Sequence, residues 1–139
     1  MLTWVKENIA AFAGDPNKIT VFCQSAGGAL TSHAVISPKM DGLFQNAIAV
    51  SGCSTGYYGV TRQALRTAAM LWDIFNCPTA NSPADIVACL RTETADELDF
   101  WGIVASVAVE GRIPNFGPVV NGDIIPFYPI ESFHIGYGW

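Results

Sequence analysis

Two short apolar runs lie on either side of a helical stretch in residues 19–50, and this order constrains the fold more than any other feature. Residues 19–22 form a β-branched and aromatic run, and residues 47–50 form a second apolar run. The helix between them is predicted to begin near Ser25 and to stop before Ser37 and Pro38. A strand, a helix and a strand in this order normally build a parallel sheet through a right-handed crossover, so we predict an α/β fold.

The predicted sheet places two serines at the edge where ligand sites of parallel sheets lie. Ser25 and Ser51 each come at the carboxyl end of a predicted strand. The second strand is continuously apolar, which is typical of a strand buried on both faces. We therefore expect any functional group of this unit to lie near these two serines.

Helical periodicity and turn chemistry predict further elements. Apolar residues spaced three or four apart predict a first helix over residues 2–12, ended by the Gly-Asp-Pro-Asn turn at 14–17. A second stripe predicts a helix capped by Thr61 and ended by residues 76–78; its apolar positions are Leu65, Ala68, Trp72 and Phe75.

Two capping signals and one turn signal mark the later part of the chain. Ser82 followed by Pro83, and Thr94 with Glu97 three residues on, predict the starts of two short helices. Asn121-Gly122 stands between β-branched pairs and predicts a β-hairpin. The sequence has no internal repeat or linker, so we expect one domain over residues 1–139.

Composition indicates that the chain needs a covering surface. Half of the residues are hydrophobic and only 14% are charged, which is apolar for a domain that must cover itself. The longest uncharged apolar run, residues 102–109, is far below the roughly 18 residues that span a bilayer, so we predict no membrane span. The N-terminal residues lack the pattern of a signal peptide. We expect another protein segment to cover the sheet.

Several classes of protein are disfavoured by charge and motif content. A net charge of −5 without a basic stripe argues against nucleic acid as a partner. Neither a phosphate-binding loop nor a dinucleotide fingerprint occurs, and the four cysteines and two histidines lack metal-ligand spacing. We therefore expect no cofactor and no metal.

The string Cys-Gln-Ser-Ala-Gly at residues 23–27 is close to the G-x-S-x-G turn of serine hydrolases. Such a turn exposes the serine at its tip and requires small residues two positions before and two after it. Gly27 meets this requirement, whereas Cys23 carries a Cβ and is expected to resist backbone angles that glycine tolerates. A serine that caps an ordinary helix would produce the same short pattern, so this interpretation stays open.

Longer segments carry a family resemblance. WVKENIAAFAGDPNKITVFCQSAGG, SPKMDGLFQNAIAVSG, CLR and FGPVVNGDIIPFYP resemble type B carboxylesterases, the cholinesterase-like branch of the α/β-hydrolases, over most of the chain. The resemblance implies a partial α/β-hydrolase fold, with a central, mostly parallel sheet flanked by helices. It also implies hydrolysis of a small-molecule carboxylic ester by a Ser-Glu-His triad without a cofactor.

The resemblance assigns roles to the turn. Ser25 matches the nucleophile and Ala26 supplies an oxyanion N–H, while the other residues of the elbow are Cys23, Gln24, Gly27 and Gly28. The family's glycine-rich loop, acid and histidine are expected outside these residues, so we expect an internal piece of the domain that is close to inactive alone. A catalytically inactive, cholinesterase-like adhesion or interaction module is the alternative, and Cys23 favours it.

Other titratable residues are not expected to replace the missing triad members. His33 follows Ser25 by more than two helical turns, about 12 Å, and cannot serve as its base. Glu131 is interpreted as a surface or capping carboxylate, and His134 matches no catalytic motif. Three aromatics, Trp101, Phe116 and Tyr128, could line a substrate pocket, but core packing is the favoured interpretation.

Two of the four cysteines match a disulfide pair of the family, and the other two do not. Cys77 and Cys89 match a pair that forms a disulfide in secreted cholinesterase-like enzymes, which implies a secreted or endoplasmic-reticulum location. Cys23 and Cys53 match no pair, and both follow predicted neighbouring strands. Two small buried thiols are the favoured interpretation, ahead of a strained bridge or a cysteine nucleophile.

Overall fold

The computed structural model describes residues 1–77, 82–111 and 116–135. Its helices and strands are α1 Leu2–Asn8, β1 Thr20–Gln24, α2 Ala26–Ile36, β2 Asn46–Val50, α3 Ala64–Ile74, α4 Pro83–Leu90, α5 Ala95–Glu110 and α6 Pro129–His134, with 3-10 turns at Ile9–Phe12 and Pro38–Met40. Within the described ranges, none of these helices combines the length and the apolar character that crossing a membrane requires.

The chain divides into two compact units. The first contains Met1–Val60 and the chain from Val119 onward, and the second is Thr61–Pro118. The strands, α1, α2 and α6 belong to the first unit, while α3, α4 and α5 belong to the second. The expectation of one domain over residues 1–139 stays a prediction.

The strand-helix-strand unit is formed as predicted. β1 and β2 pair in parallel with Thr20 opposite Asn46 and Gln24 opposite Val50, and α2 packs against both strands. α2 ends at Ile36, before the Ser-Pro pair, because the residue before a proline disfavours helical angles. The mixed architecture and small parallel sheet agree with a partial α/β-hydrolase fold.

The expectation that the second strand is buried on both faces is wrong for the described chain. All five residues of β2 are exposed, with Ile48 at 50%. The reason is that the described residues form only a two-stranded sheet, so each strand is an edge strand. Phe22 on β1 is likewise 62% exposed. The described residues therefore leave apolar side chains such as Phe22 and Ile48 largely uncovered, although α2 packs against both strands.

The helix α3 differs from its prediction in its start and in its buried face. Gln63, not Thr61, stands at its N-cap, and the Thr61 hydroxyl instead accepts a hydrogen bond from the Gly117 N–H at 3.1 Å. Thr67 and Leu71 are buried, whereas Leu65 is 87% exposed. The apolar stripe predicted from the sequence is therefore not the face of α3 that packs in the structure.

The end of α3 and the starts of α4 and α5 agree with the sequence. α3 ends at Ile74, near the predicted stop, although Pro78 lies outside the described residues. Ser82 and Thr94 each accept a hydrogen bond from the N–H three residues on, and the side chains there accept from the cap N–H in return. The cap at Ser82 and the capping box at Thr94 are confirmed, and the structure shows a full capping box at Ser82 as well. The expectation of a second short helix is wrong, because α5 has 16 residues.

The predicted hairpin at Asn121-Gly122 is wrong. The described residues around it contain no strand. The Asn121 side-chain oxygen instead accepts from the N–H groups of Asp123 and Ile125, and the Asn121 and Gly122 N–H groups donate to the Ile125 carbonyl. These local bonds close a compact loop, so the backbone groups that a ladder would use are already paired.

The predicted disulfide is confirmed. Cys77 and Cys89 are bonded, with their Cα atoms 5.9 Å apart. The bond joins the chain just after α3 to the last turn of α4. It therefore ties together two helices of the second unit.

Candidate functional site

Ser25 lies between the end of β1 and the start of α2, in a backbone conformation that non-glycine residues rarely adopt. Its φ is 57° and its ψ is −122°. The Ser25 N–H donates to the Val50 carbonyl at 2.9 Å, and the Ser25 carbonyl accepts from the Ala29 N–H at 3.1 Å. Hydrogen bonds on both sides therefore hold a strained residue at the carboxyl edge of the sheet.

The Ser25 side chain does not act as a helix cap. An ordinary N-cap has extended backbone angles, and its side chain accepts a hydrogen bond from the first turn. Ser25 has neither feature: its φ is positive and its hydroxyl makes no capping bond. The residue is exposed, and no described residue forms a hydrogen bond with its hydroxyl. The helix-capping interpretation is wrong, and the hydroxyl is available to a ligand.

Ala26 is the first residue of α2. The first N–H groups of a helix have no intrahelical acceptor, and the helix dipole gives this end a partial positive charge. The N–H next to Ser25 can therefore stabilise negative charge that develops beside the serine hydroxyl.

Three glycines make the close approach around Ser25 possible. A Cβ on Gly27 would lie 2.8 Å from the Cys23 Cβ, and a Cβ on Gly28 would lie 2.9 Å from the Val50 carbonyl oxygen. A Cβ on Gly52 would overlap the Ser25 carbonyl oxygen. The sequence alone did not single out Gly52 for this role. The signal that could have found it is the place of Gly52 in the sequence. It comes just after β2, and β2 pairs with β1, the strand that leads into Ser25.

Cys23 does not strain the backbone, which corrects the expectation from sequence. It lies in β1 opposite Ala49, and it is not among the described residues with positive φ. An extended strand position accepts any L-residue, so the cysteine needs no glycine-like angles here. Its Cβ instead limits the space at Gly27. Gln24, the last residue of β1, lies opposite Val50 and is exposed.

The two free cysteines are exposed, so their interpretation as buried thiols is wrong. They form no disulfide with each other, which also excludes the strained bridge in this structure. The Cys53 sulfur lies 3.3 Å from the Thr55 hydroxyl, and this hydrogen bond lowers the pKa of the Cys53 thiol. A catalytic role for either cysteine stays a hypothesis.

The histidines and Glu131 have other partners or lie elsewhere. His33 is buried, and its Nε2–H donates to the Gly59 carbonyl at 2.7 Å. Glu131 accepts a hydrogen bond from the Tyr128 N–H at the start of α6, which agrees with its interpretation as a capping carboxylate. His134 is the exposed last residue of α6. The described residues show no acid–base pair at the Ser25 hydroxyl.

Comparison with known proteins identifies the family. A family model described as the carboxylesterase family matches residues 1–136. The chain belongs to the carboxylesterase family. The resemblance found in the sequence is thereby confirmed, and the small parallel sheet with its strand-to-helix turn fits a partial fold of that family.

Two kinds of relative are similar to this carboxylesterase-family chain. Neuroligin-3 from Mus musculus is 38% identical over 128 residues, which cover 92% of this chain and 15% of that protein. Neuroligin-2 from Homo sapiens is also 38% identical over 128 residues, with coverages of 92% and 15%. Bile salt-activated lipase from Homo sapiens is 36% identical over 135 residues, which cover 95% of this chain and 18% of that protein. The chain thus spans less than a fifth of the length of each of these relatives.

The aromatic residues considered for a pocket belong to different units: Trp101 and Phe116 lie in the second, and Tyr128 lies in the first. Trp101 and Phe116 are exposed, so the core-packing interpretation is wrong for both. Trp101 packs edge-to-face on Phe100, and Phe116 lines a cavity of about 320 Å³ within the second unit. Tyr128 is half-buried at the start of α6. Within the described ranges, no group of three or more His, Cys, Asp or Glu residues could hold a metal ion.

Proposed function

We propose that this chain carries the nucleophile of a serine carboxylic ester hydrolase, and that Ser25 is that nucleophile. The observation that carries the proposal is the backbone of Ser25, with φ of 57° and ψ of −122° between β1 and α2. A nucleophile elbow uses such a strained strand-to-helix turn to expose its hydroxyl above the sheet. Hydrogen bonds to Val50 and Ala29 support the turn, and membership of the carboxylesterase family supports the reaction.

In the proposed reaction, the Ser25 oxygen attacks the carbonyl carbon of an ester while a base removes the hydroxyl proton. The Ala26 N–H donates to the oxyanion of the tetrahedral intermediate. The alcohol leaves with a proton, and the acyl group remains on Ser25 until water releases the carboxylic acid. No cofactor takes part.

The base in this proposal is not His33, because the Nε2–H of that residue already donates to Gly59 and its side chain is buried. The acid, the base and further oxyanion donors are proposed to come from the rest of the family domain, outside these residues. The same remainder is proposed to cover the exposed residues of β1 and β2, including Phe22 and Ile48.

The disulfide supports a proposed location in an oxidising compartment. Structural disulfides form and persist in the endoplasmic reticulum and outside the cell, and are rare in the reducing cytosol. The Cys77–Cys89 bond therefore favours a secreted or endoplasmic-reticulum protein.

An active-site label tests the nucleophile in the full-length protein that contains this sequence. We expect a fluorophosphonate to label Ser25, located by mass spectrometry of the labelled peptide. Ser25→Ala should abolish labelling and lower kcat for a p-nitrophenyl ester by about 10⁴-fold or more. Cys53→Ser is the matched control, because it removes an exposed nucleophilic side chain near the same sheet edge. Activity that survives Ser25→Ala but is lost in Cys53→Ser would overturn the proposal.

A catalytically inactive interaction module is the second candidate function. The observation that favours it is Cys23, which stands at the first glycine of the G-x-S-x-G pattern. Its Cβ occupies the space beside Gly27. The names of the relatives support both candidates, since one relative is a lipase and the neuroligins do not carry the name of an enzyme. A folded wild-type protein that neither reacts with the fluorophosphonate nor hydrolyses esters would support the module.

A further inference from the structure

The residue that follows β2, Ser51, has a positive φ like that of Ser25. Ser51 has a φ of 53°, and it is one of four described non-glycine residues with positive φ. Such a conformation costs energy and persists only where the surroundings hold it. Two serines with positive φ therefore directly follow the carboxyl ends of neighbouring strands.

A tyrosine holds the strained residue. The Tyr58 hydroxyl donates to the Ser51 carbonyl at 3.1 Å, so the chain after β2 folds back on its own start. The loop that carries Tyr58 is anchored on α2 at two points. The Ser32 and Ser54 hydroxyls are 2.8 Å apart, and His33 donates to the Gly59 carbonyl. The loop that places Tyr58 next to Ser51 is therefore held by α2, the helix that follows Ser25.

The two residues on either side of Ser51 contact the backbone of Ser25 directly. Gly52 lies so close to the Ser25 carbonyl that a Cβ on it would overlap that oxygen. On the other side of Ser51, the Val50 carbonyl accepts the hydrogen bond from the Ser25 N–H. Both neighbours of Ser51 therefore constrain the backbone of Ser25. Gly52 packs against the Ser25 carbonyl, and Val50 accepts the hydrogen bond from the Ser25 N–H.

From these contacts we infer that Tyr58 is a positioning residue for Ser25. Its hydrogen bond offsets the strain at Ser51 and holds Val50 and Gly52 where they support the turn. Tyr58 acts through the backbone and takes no part in bond making. The kinetic consequence rests on the proposed function of Ser25, whereas the positional consequence does not.

Tyr58→Phe in the full-length protein tests the inference, with Tyr57→Phe as the matched control. The two tyrosines are adjacent and pack edge-to-face, with ring centroids 5.1 Å apart, and Tyr57 is 61% exposed. Both substitutions keep the ring and remove only the hydroxyl. We expect Tyr58→Phe to lower kcat for a p-nitrophenyl ester about tenfold, with KM within about twofold, because misplacement of the nucleophile slows the chemical step. Tyr57→Phe should change neither constant.

The exchange rate of the Ser25 amide hydrogen provides a readout that does not need activity. We expect it to rise about tenfold in Tyr58→Phe, because the bond to Val50 opens more often, and to stay unchanged in Tyr57→Phe. Adding Ser51→Gly to Tyr58→Phe should restore the exchange rate and kcat, since glycine adopts positive φ without support.

The outcomes separate the inference from the proposed function. A wild-type protein without esterase activity refutes the proposed function, and the amide exchange rates then decide the role of Tyr58 alone. Unchanged Ser25 exchange in Tyr58→Phe overturns the inference even if Ser25 is labelled by the fluorophosphonate. Failure of Ser51→Gly to restore the exchange rate also overturns it, because the strain at Ser51 would then not be what Tyr58 offsets.

Discussion

At the scale of single residues, Cys23 and Gly27 share one small space beside Ser25. A Cβ on Gly27 would lie 2.8 Å from the Cys23 Cβ, which is closer than two such carbons approach in folded proteins. Both contact atoms are close to the backbone, so side-chain rotation does not relieve the clash. The small residue at position 27 is therefore required by what occupies position 23.

This contact predicts a coupling between the two positions. Gly27→Ala should lower the free energy of unfolding of the full-length protein by about 1–3 kcal/mol, because it overpacks the turn. In a Cys23→Gly background the same change should cost less than about 0.5 kcal/mol. A Cys23→Ala background should keep the full cost, since alanine retains the Cβ. Urea unfolding of the six proteins measures the coupling, and an equal cost of Gly27→Ala in all three backgrounds would contradict it.

At the scale of secondary-structure elements, predictions succeeded where the signal and its partner are close in sequence. The capping boxes at Ser82 and Thr94 form between residues three apart, so local sequence specifies both partners. Thr61 failed as a cap because its hydroxyl accepts from Gly117, which is distant in sequence. The hairpin at Asn121 failed because its side chain captured the backbone N–H groups that strands would have used.

The disulfide between the ends of α3 and α4 is expected to contribute to the stability of the second unit. Closing a loop between residues twelve apart contributes about 3 kcal/mol in the chain-entropy model. The double variant Cys77→Ser with Cys89→Ser should therefore lower the free energy of unfolding by about that amount.

Cys53→Ser is the control for the disulfide variant, because it replaces an exposed free thiol and should change stability by less than about 0.5 kcal/mol. Denaturant unfolding without reductant measures both proteins. Peptide mapping of the non-reduced wild type should recover the Cys77–Cys89 cross-link. Free thiols at both positions would show that the bond does not form.

At the scale of the whole molecule, the described chain exposes more large apolar side chains than a self-contained domain does. Ile48 and Val50 on β2 and Phe22 on β1 are exposed on the sheet, and Phe100 and Trp101 are exposed on α5. Contiguous exposed apolar surface marks an interaction site or a risk of aggregation. The chain also spans less than a fifth of the length of the relatives compared with it.

We therefore predict that the 139 residues expressed alone bind the dye ANS or aggregate. The full-length protein is the control, and it should bind much less dye per mole because its further segments cover the sheet. ANS fluorescence and size-exclusion chromatography measure the two effects. A monomeric 139-residue chain with a sharp cooperative melt and no dye binding would contradict the prediction.

The sequence by itself determined the strand-helix-strand order, the parallel pairing, the capping boxes and the family. These depend on periodicity, on cap residues and on motif strings, all of which lie within short stretches of chain. Only the tertiary structure decided that Cys23 sits in an unstrained strand, that Gly52 abuts the Ser25 carbonyl and that Tyr58 holds Ser51. Steric overlap and hydrogen bonding depend on distances between atoms, and folding brings Gly52 and Ser25 together from positions that no local pattern connects.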